Sequence, residues 1–158
     1  RAQDVFSITP EIKNLIPQMV ETMYANKGIG LAAPQIGISK RIIIVDAGPN
    51  PRKQRGKPLA FLNPRIVKAS KEEKIEEEGC LSLPGIFLKI KRVKLVEIAC
   101  QTLKGEEVKI QAGGLTARIF QHEIDHLNGI LIIKRISPLK RLRIKKQLKE
   151  LADRGGTR

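Results

Sequence analysis

The only two histidines of the 158-residue chain stand four positions apart, in QHEIDHLNGILI (121–132), with Glu123 between them. Residues four apart on an α-helix lie about 40° apart around its axis, so a helix here presents His122 and His126 in one direction. Glu123 falls about 100° from His122 and flanks the pair, able to bond a water at a metal without taking a coordination position. The stretch therefore calls for a helix carrying a hydrolytic metal site: two neutral imidazoles hold the ion and the carboxylate accepts a proton from water. A surface helix with two unrelated histidines is the plain alternative, and it makes the spacing around Glu123 a coincidence. A structural metal site is another, but it needs two further ligands and leaves Glu123 without a role.

A catalytic site of this kind needs a third protein ligand, and no histidine remains. The extended pattern HExxHxxGxxH is followed as far as Gly129, but Ile132 stands where its last histidine belongs. A glutamate on a later helix is a second option, and only Glu150 and Asp153 follow His126, both in a lysine-rich stretch. The remaining candidates are the two cysteines. Cys80, in EEEGCLSLP, follows a glycine that allows close backbone approach, whereas Cys100, in KLVEIACQ, reads as an ordinary buried strand residue. Two cysteines are too few for a disulfide framework. A single bridge between them is one reading, and free thiols in a cytosolic protein are the simpler one.

Along the chain, Thr9-Pro10 reads as an N-cap and first helical residue, opening a helix through Leu15, Ile16, Met19, Val20 and Met23. Pro17 inside that pattern predicts a kink or a late start, and the glycines of KGIG (27–30) end the helix. RIIIVD (41–46) is a continuous apolar run of strand length, hence a buried strand. Residues 46–58 are dense in glycine, proline and charge and read as an exposed loop, more basic than expected. Short strands follow near 59–62, 65–69, 74–78, 86–91, 93–101 and 106–111. After Gly113-Gly114 the spacing of Leu115, Ile119, His122 and His126 is helical, closed by Asn128-Gly129. Ser137-Pro138 starts a C-terminal helix to about 153. One α+β domain over 1–158 is expected: an N-terminal helix, mostly antiparallel strands around the HExxH helix, and a C-terminal helix.

No run reaches the roughly 18 apolar residues of a membrane span, and no secretory segment is present. The chain starts at Arg1, so a truncated or processed N-terminus is expected. Thirty Lys and Arg against sixteen Asp and Glu give a net charge of +14, which argues for association with a polyanion such as nucleic acid, against the alternative of a merely soluble cationic surface.

Three stretches, GIGLAAPQ (28–35), EGCLS (78–82) and QHEIDH (121–126), together resemble the three motifs of the peptide deformylases, in order and at similar spacing. The likeness runs from about residue 12 to 150, and the C-terminal helix resembles the bacterial and organellar type. It implies a metal-dependent hydrolase that removes the formyl group from N-formylmethionine of nascent polypeptides, releasing formate. Cys80, His122 and His126 are then the metal ligands. The resemblance implies Fe(II) as the physiological ion, with Zn, Ni or Co able to replace it; sulfur and nitrogen ligands suit Zn or Fe alike. A solvent-accessible Fe(II) beside a thiolate makes Cys80 the oxidation-prone residue. The resemblance assigns the proton transfers to Glu123 and the oxyanion donors to the Gln35 amide and the Leu81 backbone N–H. It gives Gly28, Ile29 and Gly30 to substrate backbone and methionine binding, with Leu115 and Ile119 in the methionine pocket and Arg118 at its rim. Glu78 and Arg92 become a charged pair that supports the second motif alongside Gly79. Two features depart from the pattern: the family's N-terminal segment is mostly missing, and Phe87 stands where relatives often have Arg or Tyr near the substrate backbone.

From Ser137 onward, Ile144, Leu148 and Leu151 fall on one helical face and Lys145, Lys146 and Lys149 on another. The apolar face is expected to dock on the domain, and the resemblance implies that the lysines face rRNA at the ribosome. A cytoplasmic monomer without membrane association is expected. Two other readings stay open: an endopeptidase using the same HExxH without need of Cys80, and an inactive ribosome-binding relative.

Overall fold

A computed structural model describes residues 1–46, Gly48 and 56–155. Thr9, in extended conformation, precedes α1 (Pro10–Ala25), whose first residue has no amide to leave unpaired. The expected kink at Pro17 does not divide this helix. Met19 and Met23, beyond the proline, are fully buried, and tertiary packing of that face holds the run together. The stop is also different in kind. Lys27, with φ 57°, takes the left-handed position, and Gly28 N–H donates to Met23 O at 2.8 Å. The glycines of KGIG are needed for a different purpose, described below.

Then come β1 (Gly30–Ala32), β2 (Ile42–Asp46), β3 (Pro58–Ala69), β4 (Glu73–Cys80), β5 (Leu83–Val93), β6 (Leu95–Gln101), β7 (Glu107–Gly113) and α2 (Gly114–Leu127). An antiparallel sheet has the order β1-β2-β3-β6-β7, and β4 and β5 form a separate hairpin. The five residues of β2 are all buried because the sheet is covered on both faces. Ile42 and Ile44 pack with Met19, Met23 and Leu31 on the α1 side. Ile43 and Val45 pack with Phe61, Phe120 and Leu127 on the α2 side. This α+β arrangement sets α2 against the inner face of the sheet.

The two short strands expected at 59–62 and 65–69 are one strand. Asn63-Pro64 reads as a break, yet a bulge between Leu62 and Arg65 absorbs it. Asn63, at φ 51°, closes the irregularity by bonding both Val5 N (2.7 Å) and Val5 O (2.8 Å) through its side chain. The loop expected over 46–58 is seen at its ends only. Gly48 N–H and Gly56 N–H donate to the buried Asp46 carboxylate, while residue 47 and residues 49–55 lie outside the described residues.

The single helix expected from Ser137 is two, α3 (Pro138–Arg143) and α4 (Lys145–Gly155), divided at Ile144 (φ −96°, ψ 4°). Ser137 caps the first, its hydroxyl accepting from Lys140 N–H at 3.4 Å. Ile144, Leu148 and Leu151 pack on a third cluster around Ile86, Leu88, Ile90 and Ile136, and Lys145, Lys146 and Lys149 are exposed, as the amphipathic pattern predicted. Among the described residues, no helix is long and apolar enough to cross a membrane.

Candidate active site and metal centre

Gly114, at φ 54°, turns the chain out of β7 and into α2. The last two turns of that helix carry His122, Glu123 and His126, and Gly129 (φ 73°) ends it. The two Nε2 atoms face each other at 3.2 Å. Cys80, the last residue of β4, brings Sγ to 3.2 Å from His126 Nε2. The three donor atoms lie within 4.8 Å of one another, the one such group of metal-ligating side chains among the described residues.

Cys100 is buried in β6, its thiol donating to Val108 O at 3.9 Å and pushed up to about 11 by burial. Both cysteines are free. Cys80 is in the opposite condition: burial favours the thiol, but the two imidazoles outweigh it and hold the group down to about 5. Burial favours the neutral ring of His122, yet Cys80 and Glu78 outweigh that and push it up to about 10. A ready thiolate and two convergent imidazoles form the S/N/N donor set that a divalent cation prefers. A second observation fits an ion there. Glu123 is 4% exposed, its Oε2 has no hydrogen-bond partner, and burial raises its pKa. A buried carboxylate oxygen left unpaired beside such a donor set fits a water held at the metal.

The glycines of the first motif give Glu123 its room. A Cβ on Gly30 would stand 2.5 Å from Glu123 Oε1 and 2.8 Å from Ile119 Cγ2. One on Gly28 would stand 2.9 Å from Leu81 Cδ1. Gln35 follows in a 3-10 turn (Ala33–Ile36): its Oε1 accepts from Ala32 N–H at 2.8 Å, which turns Nε2 toward Ser82 Oγ (3.1 Å) and Cys80 Sγ (4.0 Å). Leu81, half-buried, sits in the turn after Cys80 and packs on the α1-side core.

These groups surround a cavity of about 840 Å³. One wall is Gly28–Gly30 at the outer edge of β1, the other is Glu77–Leu81 at the outer edge of β4. Ile29, Leu115 and Ile119 supply apolar lining between them. Gly79 pairs with Phe87 across the hairpin, and the ring lies over it: a Cβ at 79 would be 2.8 Å from Phe87 Cε1. Phe87, 64% exposed, also lines the cavity.

The expected pair of Glu78 and Arg92 is present and is part of something larger. Arg92 donates from Nε and Nη2 to the two Glu78 oxygens, both at 3.0 Å. Glu78 Oε2 lies 3.0 Å from His122 Nδ1, which orients the ring so that Nε2 points at the other donors. Burial opposes ionisation of Glu78, but His122 and Arg92 outweigh it and hold the carboxyl down to about 2. Arg118 lines the cavity together with Ile29, Leu115 and Ile119, the residues beside which it was expected at the rim of a methionine pocket. It is 5% exposed, with its guanidinium committed to Glu78 (2.6 Å), Glu76 (3.0 Å), Ile90 O (3.0 Å) and Lys74 O (2.8 Å). It braces β4 and β5 onto α2, because a buried guanidinium needs an acceptor for each donor group.

Sequence reading missed Asp125, Gln121 and Arg135. Asp125 receives Arg92 Nη1 at 2.5 Å and Arg135 through both of its oxygens. Gln121 pins α2 to β5 by accepting from Val93 N–H (3.2 Å) and donating to Val93 O (3.0 Å). The available signal was an Asp and a Gln on the helix face that the histidines themselves require to be buried.

The polypeptide deformylase family profile matches residues 1–142. The chain belongs to the polypeptide deformylase family. Among its relatives, peptide deformylase of Thermotoga neapolitana is 48% identical over 152 residues, 96% of this chain and 88% of that protein. The peptide deformylase crystal structure from Thermotoga maritima has a TM-score of 0.80 at 46% identity, covering 87% of this chain and 89% of that one. One from Plasmodium falciparum has a TM-score of 0.90 at 38% identity, covering 99% and 91%. As a deformylase fold, the α+β arrangement expected from sequence is the one found, with the helix of the third deformylase motif beneath the main sheet and the hairpin.

Proposed function

We propose that this chain removes the formyl group from N-formylmethionyl nascent peptides by metal-assisted hydrolysis, releasing formate. The observation that carries the reading is the convergence of Cys80 Sγ and both imidazoles beside the unpaired Glu123 carboxylate, at the head of a cavity between two open strand edges.

Cys80, His122 and His126 would hold one divalent ion, which supplies Lewis acidity and an acidified water at neutral pH. An extended peptide adds a strand between the edges of β1 and β4, with its formyl end at Cys80. The methionine side chain enters the apolar lining of Ile29, Leu115 and Ile119, and Gly28 and Gly30 let the substrate backbone approach. Glu123 accepts the proton of the attacking water and later delivers it to the departing amine, a role suited to a carboxylate whose pKa burial raises. The Gln35 Nε2 amide and the Leu81 backbone N–H donate to the developing oxyanion at the formyl carbon. Glu78, Gly79 and Arg92 keep His122 and the end of β4 in place. An endopeptidase has no need of Cys80, and its thiol beside His126 speaks for the first reading.

The physiological ion is Fe(II), with Zn, Ni or Co accepted, and anaerobic purification followed by metal analysis tests this. Formate release from formyl-Met-Ala-Ser by anaerobically prepared, Fe(II)-loaded protein tests the activity, with Glu123→Ala as the inactive control. No formate from the loaded protein overturns the reading.

The protein acts as a cytoplasmic monomer that docks on rRNA through Lys145, Lys146 and Lys149. The support is their exposure on α4, whose apolar face is taken up by the third cluster. Ribosome pelleting that is insensitive to salt, or unchanged in Lys145/Lys146/Lys149→Glu, would sink that part.

A further inference from the structure

Arg135 stands at the end of the short 3-10 turn Ile132–Arg135, with its side chain 43% exposed, outside the cavity lining. It is nevertheless the outer end of an ion chain that runs to a candidate metal ligand. Arg135 Nε donates to Asp125 Oδ2 at 2.9 Å, and its Nη2 donates to Asp125 Oδ1. Arg92 Nη1 donates to the same Oδ2, and its other donors engage Glu78, which orients His122. Four of the members, Asp125, Arg92, Glu78 and His122, have side chains between 3% and 11% exposed. The signs alternate from the surface inward.

We propose that Arg135 is a positioning residue: it holds Asp125 so that Arg92 stays on Glu78, and thereby fixes His122 for the metal. The inference rests on the metal-site reading above. Its logic is competition for Arg92. Asp125 has two oxygens and is 8% exposed on its side chain, and Arg135 is the group that occupies Oδ1. Without Arg135, a buried carboxylate oxygen loses its donor, an expensive state in a low-dielectric site. Arg92, the other side chain that donates to Asp125, is then drawn further toward both oxygens. That movement withdraws a donor from Glu78 and frees the carboxylate that orients Nδ1 of His122. Asp125 also lies between the two histidines on α2, so its displacement bears on His126 through one peptide unit.

The test follows loss of Zn(II) or Co(II) to excess chelator, well below the melting temperature. Groups directly behind a metal ligand, as Glu78 is, typically change affinity by 10- to 100-fold, so Arg135, three links beyond Glu78, should have a smaller effect, accelerating release by roughly 3- to 10-fold in Arg135→Ala. Arg135→Lys keeps the charge but offers no fork to both Asp125 oxygens, and it should fall between. The Co(II)-substituted variant should also show a shifted ligand-field spectrum. Met19→Ala, which weakens the core on the far side of the sheet, separates loss of fold from loss of ligand placement; its release rate and spectrum should match the parent protein. Release at the parental rate in Arg135→Ala, or equal acceleration in Met19→Ala, overturns the proposal. An absence of any stoichiometric binding in the parent protein overturns the metal-site reading instead.

Discussion

Gly30 and Glu123 are in such close approach that a methyl group on the first would stand 2.5 Å from Oε1 of the second. The carboxylate is 4% exposed and flanked by Ile119, whose Cγ2 would lie 2.8 Å from the same methyl, so the carboxylate can yield only toward the cavity that it lines. Gly30→Ala should therefore displace the base while leaving Cys80, His122 and His126 in place. A displacement of about 1 Å in a reacting group can reduce rate by about 10²-fold, and kcat/KM on formyl-Met-Ala-Ser is expected to fall by about that factor. The metal content of the purified variant should remain one ion per chain. A variant with near-parental activity contradicts the role given to Glu123.

Leu115 lies on the first turn of α2, half-buried and on the cavity wall, about two turns before His122 on the same face. Its partial exposure distinguishes it from Ile119, whose truncation would open a hole in the core. Leu115→Ala removes roughly 1–2 kcal/mol of apolar contact with the methionine side chain, about 5- to 30-fold in kcat/KM. The loss should be largest for formyl-Met and small for formyl-Ala peptides. Equal losses on both substrates would place the methionine elsewhere.

Local chemistry and long-range chemistry were unequally legible in this sequence. The helix from Gly114, the buried strand 42–46 and the choice of Cys80 over Cys100 all follow from patterns within a few residues. Asn63-Pro64 and Lys27 misled because their local preferences are overridden. A side chain bonded to Val5 stabilises the bulge, and a lysine accepts the left-handed position. For Arg118 only part was legible. Its spacing on α2 identifies the face it shares with Leu115, but not its acceptors, which are 28 to 44 residues away. Arg135 carries no local signal at all, since its partner Asp125 gains meaning only when Arg92 arrives from β5.

Glu78 links the site to acid stability. Its carboxyl is held down to about 2, against an ordinary value of 4.5, because His122 and Arg92 outweigh the burial that opposes its charge. A carboxyl depressed in the folded state stabilises the fold above the unfolded pKa, and that contribution is lost as pH falls from about 4.5 toward 2. The full effect is on the order of 3 kcal/mol. His122, raised to about 10, is protonated in both states throughout that window and adds no slope there. Urea unfolding of chelator-treated protein at pH 6, 4.5 and 3 should show the decline, and the step from pH 4.5 to 3 is the one that reads Glu78, because Cys80, held near 5, takes up its proton above it. Glu78→Gln should be less stable at pH 6 and lose less on acidification. Parallel curves for the two proteins would show that Glu78 does not carry the dependence.

Removal of the metal should expose a difference between the two cysteines that the fold alone has set. In metal-free protein, Cys80 is a thiolate at neutral pH, held near 5 by the two imidazoles against the opposing effect of burial, and it lines the cavity. Cys100 is raised to about 11 by burial in β6 and is absent from that lining. The thiolate is the nucleophile, so iodoacetamide at pH 7 should alkylate Cys80 and leave Cys100 untouched in the folded chain. The Cys80 rate should climb through about pH 5 and be flat above pH 7, whereas an ordinary thiol would still be gaining rate at pH 8. One equivalent of Zn(II) should abolish the labelling by engaging Sγ. Peptide mapping after a short exposure reads each outcome directly: modification of Cys80 despite bound zinc removes Cys80 from the ligand set, and modification of Cys100 overturns the protection that burial gives it.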